Sequence, residues 1–236
     1  MILSELVQRS PVRIFEKSIH GGLGAGEIGV IASPSGIGKT SVLVQLALDK
    51  LLQGKKVIHV SFTQHTSHVL AWYEDIFDEF TKKKNLDHSG EVKNGLAKNR
   101  VLLNFSQDGV SGDQILKSLK ALIGDGGFNA EAIIVDGFDF SRLSANPAEG
   151  RRFMEALRAA ACDLGLSFWY SCNEGKYDKQ DIPLALKDYL DLLDVVIVLE
   201  PKADHIELTA SKDRDAPNLE HLAVKLDPKT LLILET

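Results

Sequence analysis

The residues best suited to chemistry form one short run, Ser33-Pro34-Ser35-Gly36-Ile37-Gly38-Lys39-Thr40. It combines backbone freedom at Gly36 and Gly38 with a cation, Lys39, and a hydroxyl, Thr40. Lacking Cβ atoms, the two glycines let the chain curl with its N–H groups pointing inward, a cradle for an anion. An apolar run at 28–32 precedes it and an amphipathic run at 41–52 follows. Strand, small-residue loop, Lys-Thr and helix together are the setting of a phosphate-binding loop. Ser35, Gly36, Ile37, Gly38, Lys39, Thr40 and Ser41 would then line a polyphosphate at the positive end of the helix. Lys39 would reach the β- and γ-phosphates, and the Thr40 hydroxyl would bind Mg²⁺. The pattern's first glycine is Ser33 here, which is acceptable where φ is negative.

A second half of such a site lies about a hundred residues on. Residues 132–135 are apolar throughout, as a buried parallel strand requires, and the run ends in Asp136. Asp136 would complete the Mg²⁺ shell begun by Thr40. In a parallel sheet the ligand sits at the carboxyl ends of the strands. That directs Thr63 and Gln64, and Ser171, Cys172, Asn173 and Glu174, toward the same place. Asn173 reads either as a sensor of the γ-phosphate and its water or as a turn residue. Asp139 reads as a helix or turn cap.

Those groups need a scaffold, and the chain supplies one. Its 236 residues, 44% hydrophobic and 25% charged, suit a single α/β domain with a substantial core. Residues 1–26 read as a lead-in ending in a glycine-dense turn, and 27–236 as the domain. Apolar runs at 57–62, 101–105, 132–135 and 166–170 alternate with helical patterns at 69–80, 112–123, 147–164 and 184–193. Within 81–100 basic residues outnumber acidic ones and apolar residues are sparse, which reads as an exposed, mobile excursion, either solvated or a basic partner surface. From residue 195 onward short strands follow one another closely. The predicted fold is a mostly parallel sheet flanked by helices and extended by antiparallel C-terminal strands.

Composition narrows the classes. A net charge of −6 argues against a nucleic-acid coat protein. Cys162 and Cys172 both sit in apolar sequence and read as buried thiols, not a disulfide or a metal site. No apolar run reaches membrane-spanning length and the first fifteen residues form no signal peptide, so a cytoplasmic protein is expected.

These residues resemble the RecA-like ATPases, in particular the branch of the KaiC clock ATPases, RadA-type proteins and DnaB-type helicases. Gly21-Gly22-Leu23-x-x-Gly26-Glu27 resembles that branch's lead-in to its phosphate loop, and Ile133-Ile134-Val135-Asp136 its magnesium-site strand. The run from Asp194 to Leu199, and Ser211-Lys212-Asp213-Arg214 beyond it, resemble its late strands and Lys-x-Arg hairpin. The resemblance implies a RecA-like P-loop core, ATP with Mg²⁺, and assembly into a homo-oligomeric ring or filament. Lys212 and Arg214 would then reach a neighbouring subunit's γ-phosphate, or else are ordinary surface charges. The branch's water-activating glutamate is replaced by Thr63, with Gln64 beside it. Glutamine can orient water but cannot act as a base.

Three functions follow as expectations. The first is an ATP-binding protein, a slow Mg²⁺-dependent ATPase assisted by Gln64 or Glu174, whose nucleotide state controls assembly or a protein partner. The second is a non-catalytic nucleotide-binding regulator, which Thr63 favours. The third is a DNA-dependent motor or recombinase paralogue, poorly matched by the mixed charges of 137–146 and 174–181.

Overall fold

The computed structural model describes residues 7–8, 10–84, 89–106, 112–124, 126–178, 181–216 and 220–236. A reading of residues 2–7 as a helix or pairing segment falls largely outside them, as does Ser111 of a capping box read at 111–114. The chain runs α1 (Pro11–Ser18), β1 (Ile28–Ser33), α2 (Lys39–Leu52), β2 (Val57–Ser61), α3 (Thr66–Lys84), α4 (Ser89–Lys98) and β3 (Arg100–Asn104). It continues with α5 (Gly112–Ile123), β4 (Ala132–Asp136), α6 (Ser141–Ala145), α7 (Pro147–Leu164) and β5 (Ser167–Asn173). A 3₁₀ helix (Leu184–Leu192) then leads to β6 (Val195–Pro201), β7 (Ile206–Asp213), β8 (Glu220–Leu226) and β9 (Ile233–Glu235).

The strands form one sheet of order β3-β2-β4-β5-β1-β6-β7-β8-β9. Pairing is parallel from β3 to β6 and antiparallel from β6 to β9. The two-residue period of a strand sorts its side chains between two cores. Ile31 and Ile134 join a cluster built on α1, α2 and α3. Val30, Ala32, Ile133 and Val135 join the opposite one, built on α5 and α7. Both faces of β1, β2 and β4 are therefore covered, and all three strands are buried along their whole length. Among the described residues no helix is long and apolar enough to cross a membrane.

Several sequence expectations change. The lead-in contains α1, capped by Ser10 with Pro11 in its first turn, and it buries Val12, Phe15 and Ile19 in the core. Arg13 joins Glu16 and Asp49, and Lys50 joins Glu16, fastening α1 to α2. Within the stretch read as an excursion, α3 continues to Lys84 and α4 occupies Ser89–Lys98, anchored by buried Leu96. β5 runs on to Asn173, so Ser171 and Cys172 lie within the strand. Cys172 is buried as expected, but Cys162 is exposed near the end of α7.

His59 is a buried polar group in the centre of β2. Its ring Nδ1 lies 3.1 Å from the Tyr73 hydroxyl, and its Nε2 has no hydrogen-bond partner. Burial lowers its pKa from 6.5 to about 4. The unfolded chain therefore takes up this proton first on acidification. The stability His59 contributes is complete above the unfolded value and is lost as pH falls toward the folded one. Urea midpoints are expected to fall between pH 6.5 and 5 by the equivalent of about 1.5 kcal/mol. His59→Leu, whatever its offset, should flatten that slope; an unchanged slope would show that His59 does not cause it.

Candidate functional site

β1 delivers the chain into the loop at Ser33, and α2 opens at Lys39. Gly36 has φ 81° and Gly38 φ 118°, both in the left-handed region. Gly38 also has no room for a side chain, since a Cβ there would lie 2.5 Å from Leu226 Cδ2. Ser33, in the place of the pattern's first glycine, is the last residue of a strand and is not among the positive-φ residues. A serine costs nothing there, as the sequence argument required.

Lys39 folds back over the loop. Its Nζ donates to Ser33 O at 2.8 Å, Pro34 O at 2.7 Å and Ser33 Oγ at 3.2 Å. Burial pulls its pKa down, opposed by Asp136 and Cys172. Thr40, one residue on, donates its hydroxyl to Asp136 Oδ2 at 2.8 Å. The other Asp136 oxygen accepts from Ser171 Oγ at 2.6 Å, and Ser171 Oγ in turn accepts from Gly137 N at 2.7 Å. The sheet order produces this contact. β5 lies between β1 and β4, so its Ser171 can bridge to the end of β4.

These groups border a cleft of about 390 Å³. Of the residues expected at the site, Ser35, Gly36, Gly38, Lys39, Thr40, Thr63, Gln64, Asp136, Ser171 and Asn173 line it, and Cys172 does not. Ile37 packs instead against the first core. Ser41 is buried and donates its hydroxyl to Leu231 O. Glu174 is outside the lining, and its Oε1 accepts from Gly175 N and Lys176 N, both at 2.8 Å. Lys212 Nζ donates to Leu190 O at 2.6 Å and to Leu193 O. Arg214 grips Glu27 at 2.8 and 2.7 Å, Asp213 at 2.5 Å, and the carbonyls of Ile19 and Gly22. Both cations are thus engaged within their own chain, away from the cleft.

The sequence reading missed three lining residues. Trp72, within the helical pattern at 69–80, packs on the first core and also faces the cleft. Leu231 enters from the turn between β8 and β9 with φ 55°, a strained value for a branched residue. Its carbonyl accepts from Ser41 Oγ and from Gln45 Nε2, which fastens that turn to α2. Gly137 also lines the cleft, and its glycine identity after a strand-ending Asp was the only signal for it.

Gln64 has its backbone held at both ends. Its N–H donates to Ser61 Oγ at 3.0 Å and its carbonyl accepts from Asn104 Nδ2 at 2.7 Å. Its side-chain Oε1 is buried without a hydrogen-bond partner. Thr63 is exposed beside it. Asp136 is the only carboxylate in the lining among the described residues. No three His, Cys, Asp or Glu side chains gather as a metal site among those residues. The oxygens of Thr40 and Asp136 suit a hard cation such as Mg²⁺, which takes few protein ligands and completes its shell with phosphate and water.

No protein-family model matches the chain, and no curated protein matches it significantly.

Gly137 has φ 77°, and a Cβ on it would stand 2.5 Å from Thr63 Oγ1. Gly137→Ala should therefore destabilise the chain by about 1–3 kcal/mol, read by urea denaturation. A change near zero would show that the Asp136–Gly137 turn is free to relax.

Proposed function

We propose that this chain is an ATP-binding protein with a RecA-like core, its phosphates held by the loop 33–40 and its Mg²⁺ by Thr40 and Asp136. The observation that carries the reading is the 2.8 Å bond from Thr40 to Asp136, in a cleft also lined by Lys39 and the glycine loop. Backbone N–H groups at the start of α2, Lys39 and a bound Mg²⁺ would together balance the charge of a triphosphate. Trp72 and Leu231 add apolar surface suited to a purine ring.

Hydrolysis is slow on this reading. Both Asp136 oxygens are engaged in the ligand-binding framework, and a threonine hydroxyl at position 63 is no base at neutral pH. The Gln64 amide, with its backbone pinned and its Oε1 unpaired, is placed to orient a water but not to deprotonate it. The lack of a second lining carboxylate equally favours a non-catalytic nucleotide switch as the second reading. In both, nucleotide state governs assembly or a protein partner. The internal pairing of Lys212 and Arg214 supports a switch over a trans-acting cation, and Arg142, on α6 just after β4, pairs with Asp139 at 3.6 Å, which does not favour nucleic acid.

Phosphate release from MgATP by the native chain and by Lys39→Ala separates the two. Turnover above the variant supports the slow ATPase, and Thr63→Glu should then raise it. No difference between them, with MgATP bound by the native chain, supports the switch. A native chain that binds neither MgATP nor inorganic tripolyphosphate overturns both. Trp72→Ala is expected to weaken ATP about tenfold while sparing tripolyphosphate, since it removes apolar contact and no phosphate contact. Equal losses for both ligands would show that Trp72 does not face the base.

A further inference from the structure

A second hollow, of about 240 Å³, lies among α2, α3, α4 and the first residue of β3. Leu48, Leu70, Phe77 and Leu96 form its apolar wall. Leu70 is 37% exposed, one of only two large apolar side chains left at the surface among the described residues. Arg100 lines the same space, partly buried, with its guanidinium 4.2 Å from the Tyr73 ring centre. Tyr73 is itself fixed by its bond to His59, so the stacked guanidinium has a set plane.

Among the described residues Arg100 has no ion pair. Glu74 shares the lining but is not within bonding distance of it, and Lys93 is already paired with Asp78 at 3.4 Å. Burial pulls the Arg100 pKa down, yet a guanidinium stays charged. A partly desolvated cation beside an apolar wall is incomplete by itself. Its complement is a molecule with a planar anionic group on an apolar body.

We propose that this hollow binds a small aryl or alkyl carboxylate, its carboxylate on Arg100 and its body against Leu70, Phe77 and Leu96. The site is separate from the phosphate cleft, with which it shares no lining residue.

Titration calorimetry with 3-phenylpropanoate, and with 3-phenylpropan-1-ol as the neutral comparator, tests the proposal. The carboxylate is expected to bind at one site, about tenfold or more tighter than the alcohol. Arg100→Gln should erase that preference and Arg100→Lys should keep part of it, while Lys39→Ala should leave it intact. Leu70→Asp, at an exposed position on α3, should weaken the carboxylate more than the alcohol. Absence of saturable binding, equal binding of the alcohol, or a loss in Lys39→Ala without a loss in Arg100→Gln would each overturn it.

Discussion

The Asp136 carboxylate holds the candidate site together. It is 4% exposed, and a charge so far from water is tolerable only when its lone pairs are occupied. Thr40 and Ser171 occupy them, one from the helix after the phosphate loop and one from the neighbouring strand. Three elements distant in sequence are tied by two hydroxyls to one acid. The tie needs β5 beside β4, which requires a sheet covered on both faces by crossover helices. The two cores are thus a condition of the site as well as of the fold.

Much of this was legible because its signals are local. Gly36, Gly38, Lys39 and Thr40 stand within five residues, and Asp136 closes an unbroken apolar strand. What was not legible depends on long-range contact. Leu231 reaches α2 from 190 residues away, through a carbonyl that its side-chain type does not reveal. Trp72 has core spacing because it is partly core, and an amphipathic pattern cannot say that a ring at the edge of the core also borders a cleft. Residues 81–100 look unstructured by charge, yet buried Leu96 and partly buried Val92 pack α4 against the first core. Cys162 sits among alanines and leucines on a helix whose outward face also carries small residues, so apolar neighbours in sequence did not mean burial.

Lys212 and Arg214 show how little a residue's charge says about its use. Their types fit either a reach into another subunit or a surface. Instead Lys212 donates to two carbonyls at the end of the 3₁₀ helix, Leu190 O and Leu193 O. Arg214, itself in the left-handed region at φ 52°, clasps the glycine-dense turn through Glu27 and the Gly22 carbonyl. The two segments that carried most of the family resemblance beyond the loop itself are therefore bonded to each other. The lead-in turn and the end of β7 form one support beneath β1.

The C-terminal strands thereby touch the glycine loop's flanks from two sides. Arg214 braces the strand that enters the loop, and Leu231 with Leu226 abuts the helix that leaves it, Leu226 filling the space that a side chain at Gly38 would need. Movement of the loop must move one of these contacts or strain it, because packed side chains offer few intermediate arrangements. The antiparallel extension is the part of the fold best placed to feel what the loop holds. Binding and hydrolysis also separate physically at this site. On the proposed reading, binding needs an N–H cradle, a cation and two oxygens, and Lys39, Thr40 and Asp136 line the cleft. On that reading hydrolysis needs in addition a base or a well-oriented water, for which the lining among the described residues offers the amides of Gln64 and Asn173.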